Sequence, residues 1–350
     1  MAPAQFTVKV GTRRSALALK QVELVTAELK QAHPHVDFTV HPISVQGDRD
    51  KTTPLPDLGK GLWTSELEAQ LESGGVDMVV HCLKDMPTTL PAGCALGCIT
   101  RREDPRDVVI FRRPDAHARL ADLPAGAVVG TSSVRRAAQL RRAYPRLAFR
   151  DVRGNIDTRI RKLDDPDGPF DCIILAAAGL LRMDFGTRIA QFLDSATDDG
   201  GMLHAVGQGA LGLEVRDGDE RTLALLKSIE HTPTMMACYA ERSLMRTLEG
   251  GCSVPIGVET AWVGGEDEAE EEDQSPKKTL LRIRAVVVSV DGKDAVEGER
   301  TEEVASLAQA DSLGKKIAQD LVEKGAQKIL DVINLVRDPS SLAAVKVGDV

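Results

Sequence analysis

Apolar residues along the first half of the chain switch repeatedly between a period of about two and a period of about 3.6 residues. FTVKV (6–10) alternates as a strand, and SALALKQVELVTAELKQA (15–32) carries helical apolar spacing. DFTVHPISV (37–45) alternates again, and TSELEAQLESG (64–74) is helical. VDMVVHCL (76–83) is a continuous apolar run of the kind a buried parallel strand shows. A charged, proline-bearing stretch, ITRREDPRDVVIF (99–111), separates this series from a second one. There AVVGTSS (127–133) and AFRDVRGN (148–155) read as strands, each followed by a helical pattern, VRRAAQLRRAYP and IDTRIRKL. CIILAAAGL (172–180) closes the series as a buried strand. Strands alternating with helices predict βαβ units on mainly parallel sheets.

From about Asp217 the elements group differently. ERTLALLKSIEH (220–231) and MMACYAERSLMRTLEGG (235–251) are helical. VPIGVETAW (254–262) and LLRIRAVVVSVDG (280–292) alternate as strands, and a helical pattern runs from about Ala310 to Val336. Strands together and helices together predict a small α+β domain. The acidic run GGEDEAEEEDQSPKK (264–278) inside it reads as a solvated loop without catalytic meaning.

Within the α/β half, VKVGTRRSALAL and AVVGTSSVRRAAQL repeat one arrangement: strand, Gly-Thr, small polar residues, helix. A turn of this kind presents unpaired N–H groups at a helix N-terminus, where the dipole favours anions. Two such turns, each carrying arginine, suggest two domains facing one cleft.

Charge sharpens this picture. The net charge of −9 and an aromatic content of 3% argue against a general nucleic-acid binder. Yet arginines crowd the loops GTRRS, TSSVRR and RGNIDTR, which points to a specific small anion. VHCLKDMP sets Lys84 and Asp85 just after the buried strand, where open α/β sheets bind ligands. Arg13, Arg135, Arg136, Arg153 and Arg159 would form a cation-rich cleft with Lys84, suited to several carboxylates. Asp85 would be a lone acid among cations, able to move a proton or stabilise a developing positive charge.

GQGALG (207–212) matches G-x-G-x-x-G but sits ahead of a strand rather than between strand and helix, so no nucleotide site is expected. No stretch is long and apolar enough to span a membrane. The strand-like alternation begins at Phe6, leaving no room ahead of it for a secretory leader, so a reducing compartment, the cytoplasm, is expected. The six cysteines lack metal-finger spacing, and disulfides are not expected there. Cys252 in LEGGCSVPIG follows a suspected helix C-terminus, which disfavours a repeatedly used thiolate. A thiol that reacts once as an anchor and a plain structural thiol both remain open for it.

Taken in order, GTRRSALAL, GDRDKTTPLPDLGKGLWTSELE, VHCLKDMPT, GTSSVRRAAQL, VRGNIDTR, ILAAAGLLRM, AVGQGALGLE and LEGGCSVPIG resemble the porphobilinogen deaminase (hydroxymethylbilane synthase) family. The resemblance covers nearly the whole chain except the acidic run and the C-terminal tail. It implies two periplasmic-binding-protein-like α/β domains, residues 1–102 with 203–218 and residues 103–202, and a third α+β domain over 219–350. It implies stepwise condensation of four porphobilinogens into hydroxymethylbilane with release of ammonia, needing neither metal nor nucleotide; nothing in the sequence suggests an obligate oligomer, and a monomer is expected. It also implies a dipyrromethane cofactor held through a thioether to Cys252. By the same resemblance Asp85 is catalytic with Lys84 beside it. Arg13, Ser15, Thr131, Ser132, Ser133, Arg135, Arg136, Arg153, Gly154, Arg159, Ala176, Arg182 and Gln208 would bind cofactor or substrate. Three positions depart from the family pattern. Trp63 stands in the lid region where phenylalanine is common, Cys82 replaces a serine, and Asp157 lies in the basic RGNIDTR loop. A non-catalytic two-lobed binder of a small polycarboxylate is the alternative, but it leaves Asp85 and Cys252 without a purpose.

Overall fold

The computed structural model describes residues 6–49, 61–113, 119–196, 201–248, 254–263 and 280–337. Its first lobe begins with β1 (Phe6–Arg13), α1 (Ala16–Ala32) and β2 (Val36–Ile43). A four-residue turn of helix, α2 (Gln46–Arg49), then α3 (Ser65–Glu72), β3 (Met78–Cys82) and β4 (Cys94–Ile99) complete it. α1 starts where it does because the Ser15 hydroxyl accepts the Ala18 N–H at 3.3 Å and ends the extended backbone of β1. Its buried face, with Val22, Val25 and Leu29, packs on Val8, Val10 and Met78 of the sheet.

The chain then crosses to a second lobe made of β5 (Asp107–Phe111), β6 (Val128–Gly130), α4 (Val134–Ala143), β7 (Ala148–Arg150), α5 (Ile156–Asp164), β8 (Cys172–Ala176), α6 (Ala177–Arg182) and β9 (Gln191–Leu193). It returns as β10 (Leu211–Arg216), which enters the first sheet between β3 and β4. The two five-stranded sheets have the orders β2-β1-β3-β10-β4 and β7-β6-β8-β5-β9. In each, the strand that directly follows a crossing runs against its neighbours: β10 is antiparallel to β3 and β4, and β5 to β8 and β9.

The third region holds α7 (Glu220–Leu226), α8 (Thr232–Thr247), β11 (Ile256–Val263), β12 (Leu280–Val288), β13 (Ala295–Glu303), α9 (Leu307–Glu323) and α10 (Ala326–Arg337). Its three strands form an antiparallel sheet in the order β11-β12-β13, with α8, α9 and α10 contributing to one core beside it. The fold class expected from the sequence, two α/β lobes and a small α+β unit, is the one observed.

Four local expectations are corrected. The strand read over 172–180 stops at Ala176, and the alanine-rich remainder is α6. The helix read over 310–336 is two helices, parted at Gly325, whose φ of +102° no ordinary residue adopts cheaply. AVEGERTEE, not singled out by pattern, is the edge strand β13, with a largely charged sequence because half its face meets water. The sheets are mixed rather than nearly all parallel.

Both crossings are tied to the third region. Arg102, on the first crossing, bonds both carboxylate oxygens of Glu241 on α8, at 2.6 and 3.1 Å, and the Gln208 carbonyl at 2.7 Å. Glu241 also accepts the Gly207 N–H of the second crossing at 2.7 Å, while His204 bridges to Val258 of β11. The first two glycines of GQGALG serve this turn. Gly207 and Gly209 have φ of +69° and +88°, and a side chain on Gly209 would strike the Glu103 carbonyl.

Candidate active site

β3 ends in a 3-10 turn, Leu83–Asp85, whose shape is fixed from below by apolar packing. Leu83 and Met86 are buried with Ile99, Ala210 and Cys238, so the polar pair between them is turned the other way. Lys84 and Asp85 thus stand at the C-terminal end of a parallel strand. The facing residues come from equivalent ends: Arg13 ends β1, Thr131 follows β6, Arg153 follows β7, and Ala176 ends β8. This is the edge at which open α/β sheets place their ligands.

Charges from both lobes meet there. Asp85 acts electrostatically on Arg13, Lys84 and Arg159, and Lys84 feels Arg136 and Asp107 from the other lobe. Burial lowers Lys84, with Arg136 adding to the effect against the pull of Asp85. Burial and the neighbouring Arg136 and Arg153 push Arg159 down to about 10, although Asp85 opposes them. Arg182 and Arg136 are lowered by burial as well. A set of cations whose charge is disfavoured in this way is relieved by incoming anions, which is the chemistry of a polycarboxylate site.

The other predicted residues divide by what already occupies them. Arg135 donates to Asp107 and to the Leu203 carbonyl, both at 2.7 Å. Arg136 donates to the second Asp107 oxygen at 2.8 Å and to the Ile174 carbonyl at 2.9 Å. Gln208 donates to Asp107 at 3.0 Å and to Pro105 at 2.6 Å. The three therefore converge on one buried carboxylate at the crossing. Arg182 donates to the Gly209 carbonyl at 2.7 Å, and Arg159 to the Gly154 carbonyl at 2.7 Å. Gly154 adopts φ +119°, and a Cβ there would lie 2.8 Å from Thr158, so the RGN turn requires glycine. Ala176 is the residue before α6, and its strand register sets it opposite Asp107.

Ser15, Thr131 and Ser133 accept backbone N–H groups, Ala18, Ser133 and Arg136 respectively. A hydroxyl that accepts still has its own proton to give, so each can donate to a ligand. Ser132 spends its proton on the Val152 carbonyl at 3.0 Å. Trp63 covers the face of Arg13, ring centroid to guanidinium carbon 4.1 Å. Asp157 sits in the first turn of α5, exposed and 3.9 Å from Arg161, so its charge is spent on that surface. The Cys82 sulfur lies 3.1 Å from Gln21 Nε2, and burial, reinforced by Asp85, pushes its thiol up. Kept protonated, Cys82 is a poorer target for oxidation than its replacement of a serine suggests. Cys252 and the acidic run lie outside the described residues.

Sequence reasoning missed Asp107, Asp48 and Gln21. Asp107 opens an apolar strand and looks like an ordinary strand boundary. Only the sheet order shows that two arginines 28 and 29 residues later reach it.

Among the described residues no helix is long and apolar enough to cross a membrane, and no three metal-ligating side chains gather. Residues 8–224 match the family described as "Porphobilinogen deaminase, dipyromethane cofactor binding domain", and 235–323 match "Porphobilinogen deaminase, C-terminal domain". The chain belongs to the porphobilinogen deaminase family. Curated porphobilinogen deaminases similar to it include that of Neurospora crassa, 58% identical across the whole of both chains. That of Yarrowia lipolytica is 49% identical over 94% of each chain. The Saccharomyces cerevisiae enzyme is 47% identical over 95% of this chain and 98% of its own. Membership in the porphobilinogen deaminase family makes this chain a transferase of tetrapyrrole biosynthesis and favours the enzyme over the non-catalytic binder. It also makes dipyrromethane its cofactor, and the donor set of the cleft fits that group. The partly buried cations Arg13, Lys84, Arg159 and Arg182 outnumber the nearby acids Asp85 and Asp48, while Asp107 is already shared by the buried Arg135 and Arg136.

Proposed function

We propose that this protein is a monomeric, cytoplasmic hydroxymethylbilane synthase that joins four porphobilinogens head to tail and releases ammonia at each step. The observation that carries the reading is Asp85 standing amid Arg13 and Lys84 at the strand ends and Arg159 of α5. When bound, dipyrromethane supplies the nucleophilic pyrrole carbon on which the chain is built, and Cys252 is its anchor.

Arg159, Arg182 and Lys84 bind the acetate and propionate groups of cofactor and substrate, with Arg13 and the hydroxyls of Ser15, Thr131 and Ser133 adding donors. Arg153, Gly154 and Ala176 shape the opposite wall, Ser132 fixes the turn after β6, and Arg135, Arg136 and Gln208 hold the crossing beneath. Asp85 stabilises the positive charge that develops on porphobilinogen as ammonia departs, and it accepts and returns the proton at the pyrrole nitrogen. The working units are residues 1–102 with 203–218, residues 103–202, and residues 219–350. No metal, nucleotide or nucleic acid takes part.

The test is the denatured intact mass with turnover. Wild type carries the mass of one dipyrromethane and Cys252→Ala does not, while Asp85→Ala folds but loses nearly all turnover. An active wild type of unmodified mass refutes the anchor, and undiminished turnover of Asp85→Ala refutes the acid.

A further inference from the structure

Arg13 differs from the other ion-paired arginines near the strand ends. The Arg102–Glu241 pair has exposures of 12% and 0%, and Arg135 and Asp107 have 6% and 1%. Those pairs are sealed inside the protein. Arg13 and Asp48 retain 20% and 23%, so solvent, and a ligand, can reach both. Their contact is fork-shaped: Nη2 donates to Oδ1 at 2.5 Å and Nε to Oδ2 at 3.2 Å. That is the geometry in which a guanidinium grips a free carboxylate. Burial lowers Arg13, but the Asp48 bond and the charges of Asp85 and Asp48 outweigh it and leave the guanidinium raised.

Asp48 belongs to α2, the four-residue helical turn Gln46–Arg49, which is mechanically joined to Trp63. A Cβ on Gly47 would run into the Trp63 six-membered ring, so backbone and indole are in direct contact there. The same indole lies over Arg13 at 4.1 Å and leaves only the in-plane N–H donors open to an acid. Asp48, Arg13 and Trp63 are thus stacked as one unit, and moving the carboxylate off the guanidinium moves the turn against the indole.

We propose that Asp48 is an internal stand-in for a substrate carboxylate: it occupies Arg13 until an acid group of porphobilinogen displaces it, and so sets the affinity for substrate. This rests on the reading of Arg13 as an acid-binding residue. Asp48 is here a specificity-determining residue that competes with substrate, not a group that touches the reacting atoms.

The experiment compares holoenzymes carrying Asp48, Asp48→Asn, Arg13→Gln and both changes, with porphobilinogen as the probe. A partly exposed ion pair of this kind changes an equilibrium by about two- to fivefold, so Asp48→Asn is expected to lower KM by that factor with kcat changed less. The second measurement uses the Trp262→Phe background, where Trp63 is the remaining one of two tryptophans. Porphobilinogen is expected to shift the emission of Trp63 when Asp48 is present and to shift it less in Asp48→Asn. A raised or unchanged KM in Asp48→Asn overturns the proposal, because Asp48 would then orient Arg13 or do nothing. An emission insensitive to porphobilinogen overturns the coupling to Trp63. Arg13→Gln with unchanged KM refutes instead the acid-binding role of Arg13, a separate failure.

Discussion

Asp107→Asn removes the charge of a carboxylate that Arg135 and Arg136 share in the interior. The three side chains are 1%, 6% and 7% exposed, so water screens the loss very little. Removing one partner of a buried ion pair costs about 3–5 kcal/mol, because the other charge is left uncompensated. Here two guanidiniums are left, while the amide oxygen of asparagine can still accept from Gln208, which lies 3.0 Å from the carboxylate. A loss of about 4 kcal/mol follows for the second lobe and the crossing it holds. At roughly 4–8 °C per kcal/mol for a unit of about 100 residues, the melting temperature of that lobe falls by about 16–32 °C. Calorimetry with a reversibility check measures it, since a chain with several lobes need not unfold in one step. A fall smaller than about 2 °C would refute the reasoning, since it would mean that the carboxylate does not compensate the two cations. The pH dependence adds a check of sign. Burial alone would raise the Asp107 carboxyl, but Arg135 and Arg136 outweigh it and hold it well below the usual carboxylate range. A depressed acid stabilises the fold above its unfolded value of about 3.9 and loses that contribution as pH falls through the folded one. The gap between variant and wild type is therefore full from neutral pH down to about 4 and closes only below it.

Burial, with the Arg102 charge beside it, pushes His204 down to about 4, so the unfolded chain takes up this proton first. Stability is complete above about pH 6.5 and declines toward pH 4, by up to about 1.4 kcal/mol per unit; urea titrations of His204→Gln at pH 7.5 and 5.5 should show that slope reduced, and an unchanged slope assigns it elsewhere. Gly314 is where α9 touches α8, and a methyl there would run into the Ala240 carbonyl and come 2.6 Å from the Ser243 Cβ. Gly314→Ala is expected to destabilise the third region by about 1–3 kcal/mol, and a melting curve like that of wild type would show that the two helices can part at no cost.

Much of this protein is local enough to be read from its sequence. The period-two and period-3.6 runs place β1, α1, β3, α4 and α5, because each element buries one face and its pattern repeats that face. Ser15 and Ser133 mark helix starts because a cap bonds within three residues. The position of Lys84 and Asp85 is legible for the same reason: a polar pair directly after a continuous apolar strand must lie at its end. Other features depend on partners far along the chain. β13 is a strand because β12 pairs with it, and its own residues carry little preference. The antiparallel course of β5 and β10 follows from two crossings that no periodicity records. Asp107 becomes the shared partner of Arg135, Arg136 and Gln208 only once β5 lies beside β8, and Asp48 reaches Arg13 only across 35 residues of folded chain. The sequence by itself determined the elements, their class and the chemistry available to the site, since these rest on each residue and its near neighbours. Which cations remain open to a ligand and which are already spent on a carboxylate was decided by the tertiary structure, because an ion pair depends on distance in space.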